Sequence, residues 1–271
     1  MAHRPPALVL MTDFGRADWY VACLKGVILG LCPQATIVDL THDIPPQDVT
    51  AGAFTLASAA AWFPDKTIFA CVVDPGVGTA RPLIAASADR QVFIGPDNGL
   101  LSLVFQRARR LSIVRLTNPR YWLPEISRTF QGRDIIAPVA AHVARGCALQ
   151  RLGVSRRRYT SLPLPPLART ARALRGCVVH IDVFGNLITN VPARLIEAGN
   201  WEVRYRAQRV RAVSTYAEGR RGELVALVGS TGYLELALPH GSAARRSHAK
   251  RGEPVELCHR VPSKTQGLCN A

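Results

Sequence analysis

The sequence predicts an α/β fold in its first part, a three-layer domain with a mostly parallel sheet, followed by a smaller all-β, barrel-like domain. Three observations carry that expectation. Over residues 7–150, short apolar runs without polar alternation take turns with stretches of helical spacing, as in strands buried on both faces between helices. Residues 155–176 become rich in arginine and proline and lose periodicity. Beyond 177 the segments are short, strand-like and separated by glycine-bearing turns. The expected division is 1–154 for the α/β domain, 155–176 for a linker, 177–260 for the barrel and 261–271 for a disordered tail.

A chain of 271 residues can bury about three quarters of its unfolded surface, and 48% hydrophobic content describes a globular protein. No apolar stretch is long enough to span a bilayer, and the run before Asp13 is too short for a signal-peptide core. The seven cysteines contain no Cys-x-x-Cys and fall mostly in apolar runs, as reduced core thiols of a cytoplasmic protein do. The net charge of +15 is lopsided, with +3 on residues 1–150 and +12 on 151–271. The arginines are nevertheless scattered, with one run of three at Arg156, Arg157 and Arg158 and no interleaved aromatic motif, so nucleic-acid binding is not the expected function.

Residues 7–12 form the first expected strand and end at Asp13, on the rim where open α/β sheets bind ligands. Asp18 stands before an amphipathic stretch at 19–30 and is placed as its N-cap, with ligand contact as the other reading. A strand at 35–40 leads into a proline-rich loop with His42 and then a helix at 47–62. His42 is either a ligand or acid–base group or, the reading favoured because no second histidine stands at metal-ligand spacing, a loop histidine bonded to backbone; no metal site is expected.

The run 67–73 is rich in β-branched and aromatic residues and places Asp74 at a strand's carboxyl end. Gly76 and Gly78 open backbone conformations closed to other residues, and Arg81 is far enough along to fold back onto Asp74. Such a pair is either a structural ion pair or one that orients a small polar reactant such as water. Residues 76–81 lack the third glycine of a dinucleotide fingerprint and the Gly-Lys-Ser/Thr of a P-loop, so no nucleotide phosphate site is indicated. Strands at 82–87 and 91–94 flank an Asp89-Arg90 turn, Asn98 caps a helix at 100–107, another strand covers 111–116, and 118–128 is irregular. Gln131, Arg133 and Asp134 stand at the mouth of an apolar helix, 135–144, where free amides attract oxygen-bearing groups; simple pairing of Arg133 with Asp134 is the plainer alternative.

In the second domain, strands are expected at 177–183, 201–206, 223–228, 233–238 and 254–258. Asp182 and Asn186 bracket a turn with Phe184 at its tip. An Asx turn accounts for them, and so does a ligand site with an acceptor, an amide and an aromatic face.

Five ordered motifs, Thr12-Asp-Phe-Gly15, Asp74-Pro-Gly-Val-Gly-Thr-Ala-Arg81, Gly95-Pro-Asp-Asn-Gly-Leu100, Phe130-Gln-Gly-Arg-Asp-Ile135 and Asp182-Val-Phe-Gly-Asn-Leu-Ile-Thr-Asn190, make the chain resemble the S-adenosyl-L-methionine (SAM) hydroxide adenosyltransferases, relatives of the fluorinases and chlorinases, over residues 7–258. The resemblance implies a metal-independent hydrolase, with SAM as substrate and no cofactor, working as a homotrimer whose active sites lie between one subunit's first domain and a neighbour's second. Water would attack ribose C5′ and release adenosine and L-methionine. Carried over by position, Asp13 would hold the ribose hydroxyls, Asp18, Asp182 and Asn186 the methionine amine and carboxylate, and Phe184, Ser230 and Tyr233 would line the adenine and adjoining pocket. Asp74 and Arg81 match two members of the family's water-handling Asp-Arg-His triad, and an aspartate at that first position points to hydroxide rather than halide chemistry. Gln131 stands where the triad histidine belongs, and Pro239-His240 where relatives tend to have an asparagine. The glutamine motivates an alternative expectation, a slow or non-catalytic sensor of SAM or adenosine.

Overall fold

Along β1 (Leu8–Thr12) successive side chains enter opposite apolar layers, which is why the run tolerates no polar alternation. Leu8 and Leu10 pack with Leu24 and Ile28 of α1 (Tyr20–Leu31), whereas Val9 and Met11 pack with Ala51 and Leu56 of α2 (Val49–Ala59). Burying each such side chain contributes about 1.5–3 kcal/mol, so a polar residue at any of these positions would be costly. The computed structural model describes residues 6–162, 164–170, 173–197 and 201–259, and the chain divides into two compact units, Met1–Pro163 and Leu164–Ala271.

The first unit continues through β2 (Ile37–Thr41), β3 (Ile68–Val72), β4 (Leu83–Ala88), β5 (Gln91–Pro96), α3 (Ser102–Arg107), β6 (Leu111–Leu116), α4 (Ala137–Ala144) and β7 (Gly153–Arg156). Its sheet has the order β2-β1-β3-β5-β4-β6-β7; the first four strands run parallel, and the β4–β5, β4–β6 and β6–β7 pairs are antiparallel. Five of the seven strands therefore point the same way, with α1 and α4 on one face and α2 and α3 on the other, the expected three layers. At Gly95 a Cβ would come within 2.8 Å of the Cys71 carbonyl, so glycine permits the close approach of β5 to β3.

Several local expectations change. Helix α1 begins at Tyr20, its N-cap position is Trp19, and no side chain caps it; Asp18 is exposed and does not have the capping role. The start is set instead by ring packing, since Tyr20 lies 5.5 Å from Phe14 and 5.2 Å from Phe130 between centroids. Asn98 does not cap α3: it accepts from the Leu100 amide at 3.1 Å and donates to the Val73 carbonyl at 2.9 Å, tying its loop to the end of β3. The helix expected at 135–144 opens as a π-helical turn, Gly132–Ile136, before α4.

The second unit contains β8 (Ala168–Arg169), β9 (Ala173–Ile181), β10 (Leu187–Pro192), α5 (Ala193–Glu197), β11 (Trp201–Tyr205), β12 (Gln208–Ala212), β13 (Val225–Val228), β14 (Tyr233–Ala237), α6 (Ala243–Ser247) and β15 (Pro254–His259). The order β10-β14-β13-β12-β11-β15-β9 closes through a β9–β10 pairing into a seven-stranded barrel, with β8 appended to β9. Leu174, Val178, Leu187, Val203, Leu234, Leu236, Val255 and Leu257 fill its interior. The stretch read as a linker, 155–176, holds the end of β7, all of β8 and the start of β9. The tail at 261–271 lies outside the described residues.

Candidate active site

Strand β3 delivers its carboxyl end into the turn 74–81. There Asp74 O accepts from the Val77 amide at 3.2 Å and Thr79 Oγ1 donates to the Gly76 carbonyl at 2.7 Å. A Cβ on Gly76 would sit 3.2 Å from Arg81 Cδ, so glycine leaves room for the arginine to fold back. Arg81 Nε lies 2.6 Å and 2.7 Å from the two Asp74 oxygens, and Nη2 also donates to Oδ2. The same Nη2 donates to Gln131 Oε1 at 2.8 Å, so Asp74, Arg81 and Gln131 form one linked cluster. The Asp74 and Arg81 side chains are only 6% and 10% exposed. A carboxylate held by a two-pronged guanidinium is fixed in orientation. Because Gln131 gives its oxygen to Arg81, its amide N–H groups remain as donors.

Asp13 follows β1 on the same rim. Its amide donates to the Val72 carbonyl at 3.3 Å, and its Oδ2 accepts from the Gln47 amide at 2.8 Å, with Gln47 in the left-handed region at φ 64°. Beneath it His42, 2% exposed, lies in the loop after β2 as expected, but its ring is not bonded to backbone: Nδ1 meets Thr12 Oγ1 at 2.9 Å and Nε2 lies 3.1 Å from Asp39 Oδ1. Phe14, Tyr20 and Phe130 form an aromatic wall, and Arg133 lies over Phe130 at 5.1 Å from its centroid while pairing with buried Asp134 at 2.6 Å. That pair supports local structure, since Asp134 Oδ2 also accepts from the Ser127 amide at 2.7 Å.

In the second unit Asp182 forms the Asx turn. Its Oδ1 accepts from the amides of Phe184 and Asn186 at 3.0 and 2.8 Å, and its Oδ2 from Asn186 Nδ2 at 2.9 Å. Phe184 is thereby held 72% exposed at the tip. Ser230 is exposed in the turn between β13 and β14, where the Gly229 amide donates to the Tyr233 carbonyl at 2.9 Å; Tyr233 is half-buried.

Two residues here escaped the sequence reading. Glu235, 4% exposed on β14, accepts from the Tyr216 hydroxyl at 2.6 Å, and its Oε2 occupies the space that a side chain on Gly229 would need. Burial pushes the Glu235 carboxyl up, the Tyr216 hydrogen bond pulls it down, and the Asp182 charge adds to the rise. Burial, followed by Glu235, likewise pushes the Tyr216 phenol well up. An acid inside the apolar run Tyr233-Leu-Glu-Leu-Ala237 was the available signal.

Comparison with known proteins matches these elements to a family. A family model described as the SAM hydroxide adenosyltransferase N-terminal domain matches residues 8–153, and the corresponding C-terminal domain matches residues 176–256. The chain is 39% identical over 259 residues to an (R)-S-adenosyl-L-methionine hydrolase of Thermus thermophilus, covering 91% of this chain and 97% of that protein. It is 40% identical over 246 residues to the enzyme of the same name from Salinispora tropica, covering 88% and 92%. A fluorinase of an Actinoplanes species is 30% identical over 295 residues, covering 94% and 98%. A crystal structure of an uncharacterized conserved protein from Thermotoga maritima superposes with a TM-score of 0.87 at 33% identity, covering 93% of this chain and all of that one. With both domain models matched in order, the chain belongs to the SAM hydroxide adenosyltransferase family.

Proposed function

We propose that this protein hydrolyses S-adenosyl-L-methionine to adenosine and L-methionine. The observation that carries the reading is the Asp74–Arg81–Gln131 cluster at the carboxyl end of β3, in a chain whose relatives at about 40% identity are named SAM hydrolases. Sulfonium is already an excellent leaving group, so the difficulty lies in presenting a weak nucleophile in line. In this reading a water donates to the Asp74 carboxylate and accepts from Gln131 N–H. Its oxygen forms the bond to ribose C5′ as the C5′–S bond breaks, with the electron pair leaving on methionine sulfur and the proton passing to Asp74 and then to solvent. Arg81 keeps the carboxylate aimed. Asp13 serves the ribose hydroxyls, Asp18, Asp182 and Asn186 the methionine amine and carboxylate, and Phe184, Ser230 and Tyr233 the adenine and adjoining pocket. A homotrimer in the cytoplasm completes the proposal.

The test is incubation of nucleoside-free protein with SAM, followed by chromatography of adenosine and methionine in parallel with Asp74→Asn. Stoichiometric release of both products is expected. The asparagine variant should keep SAM binding within a few-fold and lose about 10²–10⁴ in kcat, or about 3–5 kcal/mol of transition-state stabilisation. Unchanged turnover in the variant would remove Asp74 from the mechanism, and no products from the parent chain would overturn the hydrolase reading.

A further inference from the structure

β7 is the last strand of the first sheet, paired with β6 on one side and, among the described residues, with no strand on the other. Beside this edge lies a shallow cleft of about 580 Å³ whose walls carry Arg115, Arg156, Arg157 and Arg158 with the hydroxyls of Thr117 and Ser155, and no carboxylate. Arg156 is already committed: Nη2 lies 2.9 Å from Oδ2 of buried Asp97, and Nε donates to the Arg158 carbonyl at 2.6 Å. Arg115, Arg157 and Arg158 are exposed, and among the described residues none is ion-paired with a carboxylate. Elsewhere Arg90, Arg175, Arg206 and Arg211 each meet an acid.

Three uncompensated cations around an acid-free hollow repel one another, and a multiply charged anion would relieve that repulsion. Guanidinium forks grip phosphate oxygens two at a time and shed water more readily than ammonium groups. Hydroxyls and the free main-chain groups of an edge strand add neutral donors. The volume suits a small molecule. Nucleic acid fits less well, because no aromatic side chain lines the cleft to stack a base. A strand-adding acidic peptide would find an edge of only four residues.

We propose that the β7 edge is a binding site for a small oligophosphate anion, separate from the hydrolytic cluster and independent of the hydrolase reading.

Isothermal titration of the full chain with inorganic triphosphate, in about physiological salt where weak surface charge effects are screened, tests it. The combined Arg115→Ser, Arg157→Ser and Arg158→Ser variant should lose at least about tenfold in affinity, and the Arg157→Ser/Arg158→Ser double variant an intermediate share. A control that removes the same charge elsewhere, Arg109→Ser, Arg110→Ser and Arg221→Ser, should bind like the parent. Thermal melts verify that each variant is folded, and all six positions are exposed. Equal losses in test and control would reduce the effect to general positive charge and overturn the site, as would an absence of parent binding or unchanged affinity in the triple variant.

Discussion

Gln131 Oε1 accepts from Arg81 Nη2, so its amide N–H groups can donate to a water, and a carboxamide cannot take that water's proton. In the proposed mechanism the whole proton burden then falls on Asp74. Gln131→His is therefore expected to raise kcat by about tenfold or more with little change in KM, measured by steady-state adenosine release; an unchanged kcat would mean that the position only orients water. Asp74 and Arg81 were readable as a pair because seven residues and two glycines separate them, a distance one turn closes. Gln131 joins them from fifty residues away, and its place was legible only through the family motif. Tyr216 and Glu235 were not legible as partners, since their meeting depends on how the β13–β14 hairpin lies against the loop before it. His42 was misjudged for a related reason in part: Asp39 stands three residues before it on β2, but Thr12 reaches it from β1, which only the sheet brings alongside.

Among the elements, β12 went unread because Gln-Arg-Val-Arg-Ala offers one buried residue, Val210. Its hairpin with β11 turns through Arg206 and Ala207, both left-handed at φ 49° and 60°, without the Asn-Gly or Gly signal such turns usually carry. The β13–β14 turn makes the opposite demand, a missing side chain at Gly229. Gly229→Ala would push into the Glu235 carboxylate held by Tyr216 and is expected to cost about 1–3 kcal/mol, read as a lowered midpoint in urea. On β12, Arg211 meets Glu223 through two 2.8 Å bonds, and the Arg220 amide adds another, holding the Glu223 carboxyl down at about 2 from its ordinary 4.5. A depressed folded-state value stabilises the fold above the ordinary one and ceases to do so as pH falls through the depressed one. The melting-temperature difference between the parent and Glu223→Gln should thus be steady above about pH 5 and fade towards about pH 2; a difference that persisted at pH 2 would deny the pair its role.

For the molecule as a whole, the α/β-then-barrel order was legible because the two halves are punctuated differently, with unbroken apolar runs taking turns with helical spacing before 150 and short strand-like segments separated by glycine-bearing turns after 177. The region between was misread because arginine and proline describe β7 and β8 poorly: half of β7 and all of β8 are exposed, so neither carries the apolar run that marks a buried strand. No helix among the described residues is long and apolar enough to cross a membrane. Ring closure in the second unit has a kinetic consequence. A strand in a closed ring has a hydrogen-bonded neighbour on each side, so releasing one means breaking two ladders at once, whereas β2 and β7 at the ends of the open sheet can peel from one. In deuterated buffer the amides of β10 and β14 should exchange as a single slow block set by global opening of the barrel, while those of β2 and β7 exchange first. The ring would then act as the chain's slowest clock for solvent entry.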